Sequence, residues 1–361
     1  MRVAIDAREL CGRPTGVGRY LTGLLDAWST SEAARRHQWT LIAPAALEGS
    51  SRWAATIEVA GGSGGTMWEQ TTLPRAVRAA QADVFFAPGY TAPLTVAAPL
   101  VLTIHDVSFF AHPEWFSFRE GVRRRQLTAW SARRARTVIT DTEFSKSEIA
   151  RHIGVKNVRV IPLGIDRSHD RSDGRSDARA AIVLYVGSVF QRRRVDRLIR
   201  AFDLVADRLP DARLEIVGEN RTNPHVDFES IRAGCRHGDR VSIRSYVDDG
   251  ALASLYDRAS VFVFLSEYEG FGLTPLEALA AGVPPIVLDT PVARETCGAG
   301  ARYVTPSASN DDIAATIAEL LSNADARQNV LRHRNDVLNR YDWPLAAAAT
   351  LSVLEEAAGA R

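Results

Sequence analysis

The sequence predicts an α/β protein built from two open parallel-sheet domains in series. Three observations predict it. Short apolar runs alternate with longer helical patterns from end to end. The alternation stops at an almost wholly polar stretch, residues 167–180, and then restarts. And 361 residues, 46% of them hydrophobic, are more than one ordinary core holds. Strands that read as continuous apolar runs, rather than alternating ones, are buried on both faces, which is the signature of a parallel sheet between helices.

In the first half the expected strands are Val3–Ile5, Trp39–Ala43, Val84–Ala87, Leu100–Ile104, Thr137–Thr140 and Val158–Ile161. Helical patterns fall between them at Val17–Trp28, Trp68–Ala80, Arg119–Arg134 and Glu143–His152. The stretch RSHDRSDGRSDARA at 167–180 has nothing to build a core with and reads as an exposed linker. Beyond it, strands are expected at Ile182–Val186, Leu214–Val217, Val241–Ile243, Val261–Leu265 and Ile286–Leu288. Helices are expected at about Asp196–Leu209, Ala251–Tyr256 and Pro275–Ala281, and the chain from about Asp311 onward is nearly all helical. Open α/β sheets bind ligands outside the carboxyl ends of their strands, so two such domains face to face imply a cleft that holds the chemistry.

Composition narrows the function classes. The net charge of +1 gives no nucleic-acid signature. Among the 44 basic residues only Lys146 and Lys156 are lysine, a bias that puts arginine where other chains use either. Three cysteines, Cys11, Cys235 and Cys297, are odd in number and far apart. That argues against a disulfide framework and for a reducing, cytoplasmic setting. The opening MRVAIDAREL lacks the apolar core of a signal peptide, and no run of about 18 apolar residues is available to span a membrane.

Four local patterns carry chemistry. In Ser266–Glu277 an apolar run leads into a turn containing Gly270 and Gly272 and then into a helix. Such a helix start offers free N–H groups and partial positive charge, suited to phosphate. Glu269 sits in the turn, where a carboxylate can grip sugar hydroxyls. Glu277 has a competing structural reading, a capping box formed with Thr274 and with Pro275 at the first helical position. Second, Arg192, Arg193 and Arg194 follow a strand and open a helix. They suit an anionic leaving group, against the alternative of a solvated charge run.

Third, Gly12–Arg19 follows the first strand but fails as a dinucleotide fingerprint. Position 21 is Leu21 rather than glycine, and the second strand ends in Ala43–Pro44 with no acidic ribose clamp. A glycine loop approaching a sugar or phosphate fits better. Fourth, His105–Asp106 ends a strand. A histidine there is often structural, but at a sheet mouth it can meet a hydroxyl, with Asp106 fixing its tautomer. No Asp-x-Asp and no closely spaced ligand set is present, so a diphosphate would be held without Mg²⁺ or Mn²⁺. No metal and no cofactor are expected.

Together these motifs resemble the GT4 family of retaining glycosyltransferases, over nearly the whole chain. The segments that carry the likeness, in order, are IDARELCGRPTGVGRY, MWEQTTLP, DVFFAPGY, VLTIHDVSFF, TDTEFSKSEI, VIPLGID, YVGSVFQRRRVDRLIRAF and the E-x7-E stretch EYEGFGLTPLEALAAGVP. YDWP is similar to the start of the family's last helix. The resemblance implies the GT-B fold, two Rossmann-like domains facing across a cleft. It also implies an acceptor-side domain at 1–166, the linker at 167–180 and a nucleotide-sugar-binding domain at 181–340. Residues 341–361 would return to the first domain.

It implies roles for residues as well. Glu269 would contact donor-sugar hydroxyls. The backbone of Gly270, Phe271, Gly272 and Leu273 would meet the diphosphate, and Glu277 the ribose. Arg192 and Arg193 would neutralise the diphosphate, Gly16 and Gly18 would line it, and His105 would touch the transferred sugar. Tyr246 and Val247 align with base-contacting positions, although Arg244–Ser245 replaces an apolar–glycine pair there. Relatives often carry Arg-Lys at the Arg192–Arg193 position, and a planar guanidinium is not equivalent to an ammonium. Leu265 stands where proline is common.

The implied activity is a retaining hexosyltransferase, with GDP-mannose the first donor expected and a UDP-sugar the second. The acceptor would be a hydroxyl on a glycan or glycolipid in cell-surface polysaccharide assembly, similar to bacterial polysaccharide mannosyltransferases. A small-molecule or antibiotic acceptor, a non-catalytic sugar-nucleotide-binding protein and an NAD-dependent oxidoreductase are the alternatives. Residues 119–136 hold seven arginines and one acid. With Trp130, that basic face suits peripheral contact with an anionic membrane surface, against the alternative of a solvated helix.

Overall fold

The computed structural model describes residues 1–12, 16–167 and 180–359. The polar linker lies outside the described residues except at its two ends, as do Arg13, Pro14 and Thr15 of the first glycine loop. The chain divides into two compact units. One takes Met1–Pro113, Phe118–Gly164 and the segment from Tyr341 onward; the other takes Glu114–Ser117 and Ile165–Arg340.

The first unit is built on a seven-stranded sheet. Its strands are β1 (Arg2–Asp6), β2 (Gln38–Ala43), β3 (Thr56–Val59), β4 (Val84–Ala87), β5 (Leu100–Thr103), β6 (Thr137–Thr140) and β7 (Val158–Val160). Every pairing is parallel, in the order β3-β2-β1-β4-β5-β6-β7. The second unit has β8 (Ile182–Val186), β9 (Arg213–Val217), β10 (Val241–Arg244), β11 (Val261–Phe264), β12 (Pro285–Leu288) and β13 (Arg302–Val304). It is again all parallel, in the order β10-β9-β8-β11-β12-β13. In each sheet the winding reverses beside the first strand, between β1 and β4 and between β8 and β11. That reversal opens a crevice at the carboxyl ends of the two strands.

Each expected strand is present, with ends shifted by no more than one residue. The central ones are buried throughout, as with Val84–Ala87, Thr137–Thr140 and Val261–Phe264. Two strands escape the sequence pattern, β3 and β13. Both are short sheet edges; β3 is mostly open to solvent and β13 is only three residues long, so neither carries an apolar run to read.

The helices follow from apolar spacing and caps. Val195–Ala206 buries Val195, Leu198, Ile199, Phe202 and Val205, the i, i+3, i+4, i+7 stripe of a helix lying on a sheet. Glu143–Ile153 starts where the Thr142 side chain accepts from the Ser145 amide and stops at Gly154, whose φ of 80° suits glycine. In the first core Phe85 and Phe86 are fully buried, each worth about 1.5–3 kcal/mol of transfer free energy.

The last helix, Trp343–Gly359, packs in the first unit against the helix Gly16–Thr30. The Trp28 indole N–H donates to the Ala347 carbonyl at 2.9 Å. The Trp343 ring lies so close to Gly23 and Gly164 that a Cβ at either would come within 2.5 Å of it.

Candidate active site

The second unit's crevice is formed by the loops that leave β8 and β11. After β8, Gly187 takes φ 136°, a 3-10 turn covers Gln191–Arg193, and Arg194 takes φ 48° before the helix Val195–Ala206. After β11 the chain runs through Ser266 and Glu269 to Gly272, then into the helix Leu273–Ala280. The Glu267 amide donates to the Arg192 carbonyl at 2.9 Å and joins the two loops.

Arg193 and Glu269, 76 residues apart in sequence, meet there. The Arg193 Nε donates to Glu269 Oε1 at 2.8 Å, and its Nη1 to the Ser188 carbonyl at 2.8 Å. The Ser266 hydroxyl donates to the same Oε1 at 2.9 Å. Both side chains of the ion pair are only 14% exposed. The Arg193 guanidinium also lies over the Phe264 and Phe190 rings, 4.9 and 5.4 Å from their centroids. A Cβ on Gly187 would stand 3.0 Å from Arg193 Nη1, so glycine at that strand end makes room for the guanidinium. Burial alone would raise the Glu269 pKa, but Arg193 first and Arg192 second bring it below the ordinary carboxylate value. Burial opposes the charge of Arg193 too, but Glu269 and Tyr185 together outweigh it, so Arg193 stays firmly cationic.

Arg192 sits differently. Its Nε is 4.0 Å from Glu269 Oε1 and is buried with no hydrogen-bond acceptor. Its guanidinium lies 4.5 Å from the Phe190 ring and 6.0 Å from Trp115, a residue of the short 114–117 segment that sequence reasoning did not single out. A buried donor without an acceptor is costly unless a ligand satisfies it.

The helix Leu273–Ala280 settles the reading of Glu277 as a cap. Its N-cap is Gly272 at φ 86°, with no side-chain cap. Thr274 and Pro275 are then the second and third helical residues, and the Thr274 hydroxyl is buried without a partner. The Thr274–Glu277 capping box is therefore not formed. The sequence placed the start two residues late because only the positive φ of Gly272 lets the helix begin at Leu273. The Leu273 and Thr274 amides have no intrahelical acceptor, and Pro275 has no N–H to leave unpaired. A small, half-open depression lies alongside, bordered by Ser266, Glu269, Phe271, Gly272, Pro275 and Cys297. Tyr246 and Val247 follow the edge strand β10, two places from β8, and Tyr246 is 57% exposed.

In the first unit His105 follows β5. Its Nδ1 is 2.8 Å from Asp141 Oδ2 and its Nε2 is 3.0 Å from the Pro88 carbonyl. Both partners are acceptors, so the pair needs a proton at each nitrogen. Burial works against the imidazolium, but Asp141 outweighs it and the His105 pKa is raised. The tautomer partner is therefore Asp141, not the neighbouring Asp106. Asp106 accepts from the Tyr90 hydroxyl at 2.9 Å and from the Ser108 amide at 2.8 Å. Asp141 was invisible in sequence because it reaches His105 only through the β5–β6 pairing. Tyr90 is held at φ 54°, unusual for a residue with a side chain.

Gly16 and Gly18 belong to the first turn of the helix Gly16–Thr30 rather than to a loop. At the winding reversal of this sheet stands a cluster the sequence reading also missed. Arg8 Nε donates to Asp6 Oδ2 at 2.9 Å, and Arg8 Nη2 and the Thr91 hydroxyl both reach Glu69 Oε1 at 2.5 Å. Among the described residues no group of three His, Cys, Asp or Glu side chains is placed to hold a metal ion.

Comparison with known proteins assigns the family. Residues 166–333 match the family described as Glycosyl transferases group 1, and residues 14–169 match Glycosyltransferase Family 4. The chain belongs to the family 4 glycosyltransferases. This glycosyltransferase is 28% identical over 269 residues to O-antigen chain mannosyltransferase B of Escherichia coli, covering 70% of the chain and 69% of that protein. It is 29% identical over 255 residues to the GDP-mannose:cellobiosyl-diphosphopolyprenol alpha-mannosyltransferase of Komagataeibacter xylinus, covering 66% and 63%. The chain thus spans about two thirds of the length of these curated relatives. In fold the glycosyltransferase is similar to sucrose-phosphate synthase of Thermosynechococcus elongatus, with a TM-score of 0.79, 20% identity and all of both chains covered. It has the GT-B fold.

Proposed function

We propose that the protein transfers a hexose from a nucleotide diphosphate to a hydroxyl acceptor with retention of configuration and without a metal ion. GDP-mannose is the first donor and a UDP-sugar the second. The observation that carries this reading is the Arg193–Glu269 pair beside the uncapped start of the helix Leu273–Ala280. Catalysis of such a transfer needs fixed positive charge where the leaving diphosphate becomes more negative. Arg193 is already clamped by Glu269 and the Ser188 carbonyl, so little reorganisation is needed as charge develops. The Arg192 Nε has no acceptor, and the Leu273 and Thr274 amides open a helix without a side-chain cap; these donors suit phosphate oxygens. Glu269 receives Arg193 and Ser266 on Oε1, which leaves Oε2 for a sugar hydroxyl.

The backbone at Gly270, Phe271 and Gly272 then borders the diphosphate, and Glu277 takes the ribose. Tyr246 and Val247 take the base, Gly16 and Gly18 line the diphosphate, and His105 contacts the transferred sugar. These assignments rest on the family resemblance. The side-chain nitrogens of His105 are engaged by Asp141 and Pro88, so its contact falls to the ring edge or the backbone. With no side chain singled out as a covalent nucleophile, attack proceeds on the same face, assisted by the leaving phosphate.

The acceptor is a glycan or lipid-linked glycan of cell-surface polysaccharide assembly, met at the cytoplasmic membrane face. The relatives' names and the exposed arginines of the helix Phe118–Arg134 with Trp130 support this. Among the described residues no helix is long and apolar enough to cross a membrane.

A thermal-shift panel of nucleotide sugars tests the donor. GDP-mannose is expected to raise the melting temperature most, and stabilisation by NAD instead would overturn the reading. Proton NMR of the first-formed product tests retention, and an inverted linkage would refute it. Co-sedimentation with anionic vesicles at low salt tests the membrane contact, and no binding would end it.

A further inference from the structure

A second place in the molecule gathers a glycine loop, an uncapped helix start and an unpartnered buried donor. Between β3 and the helix Thr66–Ala79 runs the loop GGSGG, residues 61–65. Gly61, Gly62 and Gly64 have φ of 65°, 112° and 70°, and the N-cap Gly65 offers no side-chain cap to a helix of 14 residues. The first-turn amides are therefore without side-chain acceptors, at the end where the helix dipole favours negative charge. A helix start alone is not a site, and here a second feature points at a ligand. The Trp68 indole Nε1 is buried, its residue 4% exposed, and it has no hydrogen-bond partner. The ring edge that carries it faces the loop. A Cβ on Gly62 would lie 2.8 Å from Trp68 Cδ1 and 3.6 Å from Nε1. A buried N–H with no acceptor, under a loop of glycines, is a donor left over for a ligand oxygen.

Charge and apolar surface surround the same spot. Arg8, stacked 5.8 Å from the Trp68 ring centroid, donates through Nη1 to the Gly64 carbonyl at 3.4 Å. Arg123 donates through Nη1 to the Thr66 hydroxyl at 2.7 Å, at the helix start itself. Glu120 holds the rest of that guanidinium and has its own pKa drawn down to about 2, chiefly by the Arg123 hydrogen bond. Arg119, Arg124 and Arg125 leave the turn basic despite that acid. Met67 and Phe118, 76% and 83% exposed, stand on the first turns of the two helices that the Arg123–Thr66 bond brings together.

We infer that the GGSGG loop, the start of the helix Thr66–Ala79 and Arg123 bind the phosphate of a lipid-linked acceptor, with Met67 and Phe118 against its hydrocarbon chain. A free inorganic phosphate would satisfy the polar half of this site but would leave the two apolar side chains without purpose. The inference deepens the acceptor reading given above and rests on it.

The test is calorimetric titration of the full chain with dodecyl phosphate below its micelle concentration and, separately, with inorganic phosphate. Saturating GDP and UDP occupy the nucleotide site throughout. Dodecyl phosphate is expected to bind more tightly than inorganic phosphate. Arg123→Ala and Trp68→Phe should each weaken it by about tenfold, the loss of one charge-assisted or buried hydrogen bond. Trp68→Phe keeps the ring and removes an unpartnered N–H, so the unliganded variant should melt no lower than the parent. A purely structural Trp68 would not produce that combination. A double Met67→Ser, Phe118→Ser variant should erase the preference for the dodecyl ester.

No binding of dodecyl phosphate in the presence of the nucleotides, unchanged binding in Trp68→Phe, or equal affinity for both phosphates would each overturn the proposal. Nucleotide binding measured in the same samples separates the two readings. If it persists while dodecyl phosphate fails to bind, only the acceptor site is lost.

Discussion

The Glu267 amide donates to the Arg192 carbonyl across 2.9 Å, and that one bond makes the loops after β8 and β11 a single unit. Arg193 and Glu269, one residue and two residues further along, are therefore placed by the same tie. Their own contact closes the arrangement through side chains.

Breaking that ion pair should cost stability as well as turnover. Removing one partner strands a buried charge, worth about 3–5 kcal/mol. Arg193→Ala and Glu269→Gln are each expected to unfold at lower denaturant and to lose about a hundredfold or more in transfer rate. The double variant Arg193→Met, Glu269→Gln should recover part of the stability and none of the activity. Recovered turnover in the double variant would show that the pair serves the fold alone.

Two glycines in this unit should respond differently to alanine. Gly272 has φ 86° but open space around a would-be Cβ, so Gly272→Ala costs about 1 kcal/mol from the backbone alone. It should also weaken nucleotide binding by tilting the helix start. Gly218→Ala would drive a Cβ into the Gly187 carbonyl and should be far more damaging. Urea midpoints order the two, and an equal effect would show that strain rather than space governs both sites.

The His105–Asp141 pair predicts a pH dependence with a definite sign. Both imidazole nitrogens face acceptors, so the folded pair keeps a proton that unfolded His105 releases above about pH 6.5. A raised folded pKa means the stabilisation is complete below the unfolded value and is lost as pH rises through the folded one. Stability should fall with pH above about 6.5, with a limiting slope of about 1.4 kcal/mol per pH unit. Asp141→Asn should flatten that slope. A parent whose stability is flat or rises from pH 6.5 to 8.5 would contradict the shared proton.

Turnover should not depend on a divalent ion. Treatment with EDTA followed by desalting is expected to leave the transfer rate unchanged. Reversible loss restored by Mg²⁺ or Mn²⁺ would remove the arginine and helix-amide account of diphosphate binding.

Much of the fold was legible in the sequence because its central strands are buried on both faces. Val84–Ala87 and Val261–Phe264 have no solvent side to alternate with. The edge strands Thr56–Val59 and Arg302–Val304 were not legible, since the first is mostly exposed and the second is three residues long, and neither offers an apolar run. The types of residue in the candidate site were readable from Ser266–Glu277 and Arg192–Arg194. Their pairings were not. Arg193 reaches Glu269 because β8 and β11 are neighbours, and His105 reaches Asp141 because β5 and β6 are. Local spacing also misplaced several helix boundaries by two or three residues, among them the one at Gly272, where a left-handed residue rather than a polar cap begins the helix.

The Trp343 ring wedged against Gly23 and Gly164 has a bearing on how the chain is made. The first unit cannot finish packing until the closing helix has left the ribosome, after the whole second unit has been synthesised. A fragment ending before Trp343 would leave the Gly16–Thr30 helix without its cover and offer that bare surface to chaperones or to aggregation. Separating the two units for study would therefore call for joining the closing helix to the first by a designed linker, not for a simple cut.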